Sequence, residues 1–178
     1  ISSQVVPDRD GLGMDQESLS IIRHEENSQT KVSNFSIRFY QTGNLKYGET
    51  TTLYSILSLG NPIVLNFWAG LCPPCRIEMN DMNEVYGIFN DQVILIGVDI
   101  GQFVLLGTEE DGKRLLSELG ISYAAGTTMD SGIAEAYGIF GMPTTIFIRP
   151  DGTIHKRWTG ALNESKLTEL IVDLIEAS

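Results

Sequence analysis

The sequence predicts an α/β domain built on a mixed sheet, part parallel and part antiparallel, covered by helices. Three observations predict it. A nearly continuous apolar run, Ile63 to Trp68, passes at once into a segment of helical periodicity, as a strand covered on both faces does before a helix. Beyond that helix Val93 to Val98 is a second apolar run whose β-branched content marks a central strand, which completes a βαβ order. Near the C-terminus two strand-like runs flank Pro150-Asp151-Gly152, a hairpin signal that makes that end of the sheet antiparallel.

The elements follow in order. Residues 1–31 hold few apolar side chains among Gln4, Asp8, Arg9, Asp10, Asp15, Gln16 and Glu17, so a flexible lead-in or linker is expected, with a short helix near Glu17 to Glu26. Phe35 to Tyr40 alternates and meets Thr42-Gly43-Asn44, which predicts a strand or hairpin. Thr52 to Leu59 reads as a short helix capped by Thr51 or Thr52. Gly60-Asn61-Pro62 introduces the first core strand; the helix after it puts Cys75, Met79, Met82, Tyr86 and Phe89 on one stripe. Gln92 to Asp99 is the next strand, and Glu109 to Leu119 a helix with Gly120 as its stop. Ser122 to Ala125 is a short strand, and Ser131 to Tyr137 a short helix capped by Asp130 or Ser131. Thr144 to Arg149 and Thr153 to Trp158 form the hairpin. Asn163 then caps a last helix with Leu167, Leu170, Ile171, Leu174 and Ile175 at i, i+3, i+4, i+7 and i+8.

Composition removes several function classes. At 178 residues with 42% hydrophobic content, one domain of ordinary core size plus tails is expected. Twelve basic against 23 acidic residues leave a net charge of −11, which argues against nucleic acid and anionic membrane surfaces as partners. No stretch approaches the roughly 18 to 20 apolar residues of a membrane span. The chain opens on Ile1, so a removed signal or anchor is expected ahead of it.

Its only two cysteines, Cys72 and Cys75, form Cys-Pro-Pro-Cys where the first core strand hands over to its helix. A thiol there sits at the positive end of a helix, which favours thiolate. Cys72 falls near the first turn, open to a partner, and Cys75 on the inner edge of the apolar stripe, as a nucleophile and a resolving thiol should. Other readings compete. Structural zinc wants four ligands, and His24 and His155 are remote and unpaired. A structural disulfide closing so short a loop removes little entropy from the unfolded chain. Two inert buried thiols leave the intervening prolines without a packing purpose.

Asn66-Phe67-Trp68-Ala69, then Cys72-Pro73-Pro74-Cys75, then Gly141-Met142-Pro143-Thr144-Thr145 about seventy residues on, resemble the thioredoxin fold, and more narrowly its TlpA/ResA-like branch. The resemblance covers roughly residues 33 to 177. It implies a thioredoxin-like fold over 32–178 with helices on both faces of a mixed sheet, extra N-terminal strands and a family-type insertion. It implies a protein-disulfide oxidoreductase whose Cys72-Cys75 disulfide is redox-active, with no other cofactor and no metal. It also implies a cis peptide at Met142-Pro143 beside the sulfurs, where the Met142 backbone can pair with an extended substrate. Trp68, Met142 and Pro143 are then expected to bind substrate, and Pro73, Pro74 and Asn66 to shape the site. Implied partners are protein disulfides, among them the CxxCH of apocytochrome c, and a membrane electron donor of the CcdA or DsbD kind. Implied too are a monomer, a role in cytochrome c biogenesis, and an extracytoplasmic or periplasmic place behind an N-terminal membrane anchor absent from this chain.

Glu78 stands three residues past Cys75, where ResA-like members carry an acid near the active site. Burial would raise its pKa and fit it to take or relay the Cys75 proton; a solvated surface glutamate is the other reading. Asn66 occupies the strand position where ordinary thioredoxins have a buried acid. Two departures bear on substrate choice and helix shape: Leu71 replaces the usual tryptophan before the first cysteine, and Asn80 a common proline after the acid. Two readings from other classes share the fold. A peroxiredoxin-type peroxidase wants Thr or Ser three residues before its cysteine, where this chain has Ala69. A Sco-like copper module wants wider cysteine spacing and a histidine.

Overall fold

The structure is a computed structural model that describes residues 30–178. The expected lead-in over 1–31 and its helix near Glu17 to Glu26 lie outside the described residues apart from Thr30 and Lys31, and Lys31 forms an isolated antiparallel bridge with Thr153.

Seven strands, β1 (Ser36–Gln41), β2 (Thr50–Thr52), β3 (Ile63–Trp68), β4 (Ile94–Asp99), β5 (Ala124–Thr127), β6 (Thr144–Ile148) and β7 (Ile154–Thr159), make one sheet of order β2-β1-β5-β4-β3-β6-β7. β3, β4 and β5 are parallel neighbours; β6 and β7 continue antiparallel on one side, β1 and β2 on the other. The helices are α1 (Leu53–Leu57), α2 (Pro73–Phe89), α3 (Gly101–Val104), α4 (Glu109–Leu119), α5 (Ile133–Ala136) and α6 (Glu164–Glu176).

All six residues of β3 are buried, because both faces are covered. Its alternation divides the core in two. Val64 and Trp68 join Cys75, Met79 and Met82 of α2, Leu115 and Leu116 of α4, and Leu167 to Leu174 of α6; Ile63, Leu65 and Phe67 join Ile56, Phe35 and Tyr137 on the other face.

Local chemistry explains most boundaries. Thr52 caps α1 by accepting from Ser55 N at 3.1 Å, and Asn163 caps α6 by accepting from Lys166 N at 2.9 Å. Thr108 and Asp111 form a reciprocal capping box on α4, and Gly120 ends it in the left-handed region at φ 62°. In the β6–β7 turn Gly152 takes φ 83°, a conformation that glycine adopts without strain.

Three expectations need correction. The strand expected at Ser122 to Ala125 lies at Ala124–Thr127, since Ser122 is held instead by Asn83 of α2, whose Oδ1 accepts from its N–H at 2.8 Å. The helix expected over Ser131 to Tyr137 shrinks to Ile133–Ala136 with Gly132 as its cap, because Asp130 Oδ1 accepts from Gly132 N in a local turn that delays the helix. α3 was not expected as a separate element, since four residues beginning with glycine carry no periodicity to read. β2 is the second strand of the hairpin expected after Phe35 to Tyr40, pairing antiparallel with β1.

Candidate active site

β3 ends at Trp68, and Ala69-Gly70-Leu71 turns the chain into α2. Gly70 is required there: a Cβ would lie 2.5 Å from Gly112 N on α4. Leu71 N–H donates to Leu106 O at 2.8 Å, which ties this turn to the segment after α3.

Cys72 is the N-cap of α2, with Pro73 and Pro74 as the first two helical residues. Proline suits those positions, where a helix has no partner for an N–H. With both proline donors missing, the first backbone N–H of the helix belongs to Cys75, and it points at Cys72 Sγ at 3.3 Å. Cys72 and Cys75 are joined by a disulfide, with Cα atoms 5.3 Å apart. Cys75 is fully buried; Cys72 keeps 3% exposure and lines a groove of about 360 Å³ with Pro73, Pro74, Val104, Leu106, Phe140 and Met142. Of the two cysteines, the one that borders the groove is thus the one at the helix cap.

The peptide bond Met142-Pro143 is cis. Met142 lines the groove beside Cys72, and no hydrogen bond among the described residues engages its backbone N–H or C=O. Pro143 is buried, and its carbonyl accepts from Gly160 N at 2.9 Å; it shapes the loop while Met142 faces the opening. Trp68, expected to bind substrate, is corrected: it is fully buried, with its indole packed against Gly97, where a Cβ would lie 2.7 Å from Nε1. It supports the cysteine turn from below.

Beneath α2 lies Glu78, fully buried. Asn66 Nδ2 donates to its Oε1 at 2.6 Å and Leu162 N–H to its Oε2 at 2.9 Å, while Asn66 Nδ2 also reaches Thr145 Oγ1 at 3.0 Å. Burial pushes the carboxyl up to about 7, against the lowering effect of those two donors. A surface glutamate is ruled out, and α2 carries this acid on the same buried face as Cys75, one helical turn away. β3 through Asn66, α2 through Glu78, β6 through Thr145 and the start of the α6 segment through Leu162 meet at this point.

A second buried carboxylate went unnoticed in the sequence. Asp99, the last residue of β4, is 3% exposed; its Oδ1 accepts from Gly101 N at 2.9 Å and its Oδ2 from Tyr40 OH at 3.3 Å. Burial raises it to about 6. Its signal was an acid ending an apolar strand, a position otherwise read as the start of a loop.

The sequence profile of the AhpC/TSA family matches residues 29–157. The chain belongs to the AhpC/TSA family. Within reach of that family, thiol-disulfide oxidoreductase ResA of Halalkalibacterium halodurans is 34% identical over 112 residues, 63% of this chain and 61% of that protein. ResA of Oceanobacillus iheyensis is 32% identical over 115 residues, 65% and 58% of the two chains. The match thus spans about three fifths of the length of these relatives. Among solved structures, the thioredoxin domain of a thiol-disulfide oxidoreductase from Bacteroides vulgatus aligns with a TM-score of 0.66 at 20% identity, covering 83% of this chain and 96% of that one. StoA from Bacillus subtilis aligns with a TM-score of 0.63 at 20% identity, covering 78% and 96%. At such identity these neighbours establish the fold, which is thioredoxin-like.

Proposed function

We propose that this protein is a thiol-disulfide oxidoreductase that reduces protein disulfides with the Cys72/Cys75 dithiol and needs no bound cofactor. One observation carries the reading: a disulfide at a helix N-terminus shares a groove with the unpaired backbone of Met142 at a cis-proline, so a target segment can pair there while its sulfur meets Cys72. Similarity to ResA proteins supports it.

In the cycle, Cys72 thiolate attacks one sulfur of the target disulfide, forming a mixed disulfide and releasing the other target sulfur as thiolate. Glu78 takes the Cys75 proton, directly or through an intervening group. Cys75 thiolate then attacks Cys72 Sγ, closes the Cys72-Cys75 disulfide and releases the second target thiolate. Two electrons pass to the target, and an external dithiol must restore them; a membrane donor of the CcdA or DsbD kind fits that need, with apocytochrome c as one target. An extracytoplasmic site of action follows from the same reading.

Activation of Cys72 is moderate. Bringing a thiol from pKa about 8.5 to about 7 takes roughly 2 kcal/mol, the upper end of what a helix terminus supplies, and a single N–H adds to it here. The reduction potential therefore lies nearer thioredoxin's roughly −270 mV than the roughly −120 mV of DsbA. Equilibration with glutathione measures it; a value above about −180 mV would reverse the electron flow. A Cys75→Ser chain should accumulate covalent complexes with its targets, and an empty trap would count against the reading. A peroxidase ranks second on the strength of the family match, but Ala69 supplies no hydroxyl where that chemistry wants one; peroxide consumption separates the two.

A further inference from the structure

We propose that Phe140 selects among target disulfides by packing against a large apolar side chain next to the target's reacting cysteine. This rests on the oxidoreductase reading and adds what the groove prefers. Phe140 is 98% exposed, more than any other large hydrophobic residue among those described, and it lines the groove that holds Cys72. Exposed apolar residues scattered singly need no explanation, so the position matters more than the exposure. Phe140 sits two residues before Met142, on the loop whose free backbone offers a target its pairing edge. The mixed disulfide fixes the target's sulfur at Cys72, and a segment extended along Met142 must then carry the cysteine's neighbours over the groove walls.

The facing wall is apolar as well. Val104 and Leu106 line it, and Leu105 between them takes φ 58°, ψ 35°, a left-handed conformation costly for leucine, while 93% exposed. That conformation closes α3, with Leu106 N–H donating to Gly101 O at 3.0 Å, and it leaves the Leu105 side chain in solvent next to the groove wall. Leu71, in place of the usual tryptophan, is also 55% exposed and would meet a side chain at Gly107. With no aromatic beside Cys72 on that side, Phe140 is the ring available to a target. The occupant is therefore an extended segment of a protein disulfide with Leu, Phe or Trp beside its cysteine.

The test uses the full chain, reduced beforehand, and two cyclic peptide disulfides that differ only in having Leu or Ser next to the first cysteine. Second-order rates of peptide reduction are followed by chromatography. Wild type should favour the Leu peptide on the order of tenfold. Phe140→Ser should bring that ratio close to one, and Phe140→Leu should keep most of it. An unchanged ratio in Phe140→Ser, or no preference in wild type, overturns the proposal while leaving the oxidoreductase reading intact. If wild type exchanges with neither peptide nor with glutathione disulfide, the oxidoreductase reading falls and this proposal with it.

Discussion

Glu78 and Asp99 are both carboxylates buried under the same face of the sheet, and burial raises them to about 7 and about 6. Their surroundings separate them. Glu78 lies on α2 with Cys75, held by the Asn66 amide and the Leu162 N–H. Asp99 lies at the end of β4, where Gly101 N and Tyr40 OH hold it, with Glu109 and Asp111 of α4 adding negative charge nearby. Its bond to Gly101 starts α3, the wall of the groove that carries Val104 and Leu106. A raised pKa alone does not assign a proton to chemistry. The element that carries the acid does: one shares a helix with the resolving sulfur, the other anchors a wall.

The largest effect should come from removing the acid beside sulfur. Glu78→Gln should slow resolution of a mixed disulfide on the order of 10²-fold and erase an inflexion near pH 7 in the rate profile read by stopped flow. Asp99→Asn should keep that inflexion. Its loss in Asp99→Asn would transfer the proton role to the wrong end of the sheet.

Both acids also shape stability against pH. An acid whose native pKa lies above its unfolded value holds more protons folded than unfolded, so stability falls as pH rises through that window. For Glu78 the window runs from 4.5 to about 7 and amounts to about 3 kcal/mol; for Asp99 it runs from 3.8 to about 6, which places Glu78 alone in its upper part. Denaturant midpoints of the oxidised protein should fall between pH 5 and 8. In Glu78→Gln the decline above pH 6 should largely vanish, whereas in Asp99→Asn the decline below pH 6 should shrink to the share Glu78 contributes there and the decline above it should persist.

Much of this was legible in advance, for reasons that name its limits. The β3–α2 junction could be read because apolar continuity, helical periodicity and a cysteine pair coincide within a few residues, and the hairpin because Pro150-Asp151-Gly152 leaves few alternatives. Glu78 could be placed only as near the site, since its burial depends on Asn66, Thr145 and Leu162 arriving from three other segments. Trp68 illustrates the converse. A tryptophan near a reactive cysteine reads in sequence either as a binding surface or as packing beneath the cysteine turn, and its complete burial against Gly97 of β4 decides for packing. Asp99 stayed hidden because its partners, Tyr40 and Gly101, lie on a distant strand and in a helix too short to announce itself.

A smaller effect sharpens the Asp99 side. Gly112 lets α4 close over that carboxylate: a Cβ would sit 2.1 Å from Asp99 Oδ2 and 3.4 Å from the Trp68 ring. Gly112→Ala should cost about 2 kcal/mol in chemical denaturation, by forcing α4 off both residues, despite alanine's better helix propensity. An equally stable variant would mean that Asp99 is loosely held and that the wall it anchors is free to shift.

The smallest test addresses the hydroxyl. Tyr40→Phe removes a 3.3 Å hydrogen bond to Asp99 Oδ2, long for such a pair, and should cost about 0.5 to 1 kcal/mol above pH 7. That bond favours the charged carboxylate, so its loss should move Asp99 further up from about 6, and the stability difference between variant and wild type should shrink below pH 5, where the acid is protonated. Glu78, held by other donors, should keep its inflexion near pH 7 in the same variant. A shift at Glu78 instead would join the two acids into one network and remove the distinction drawn between them.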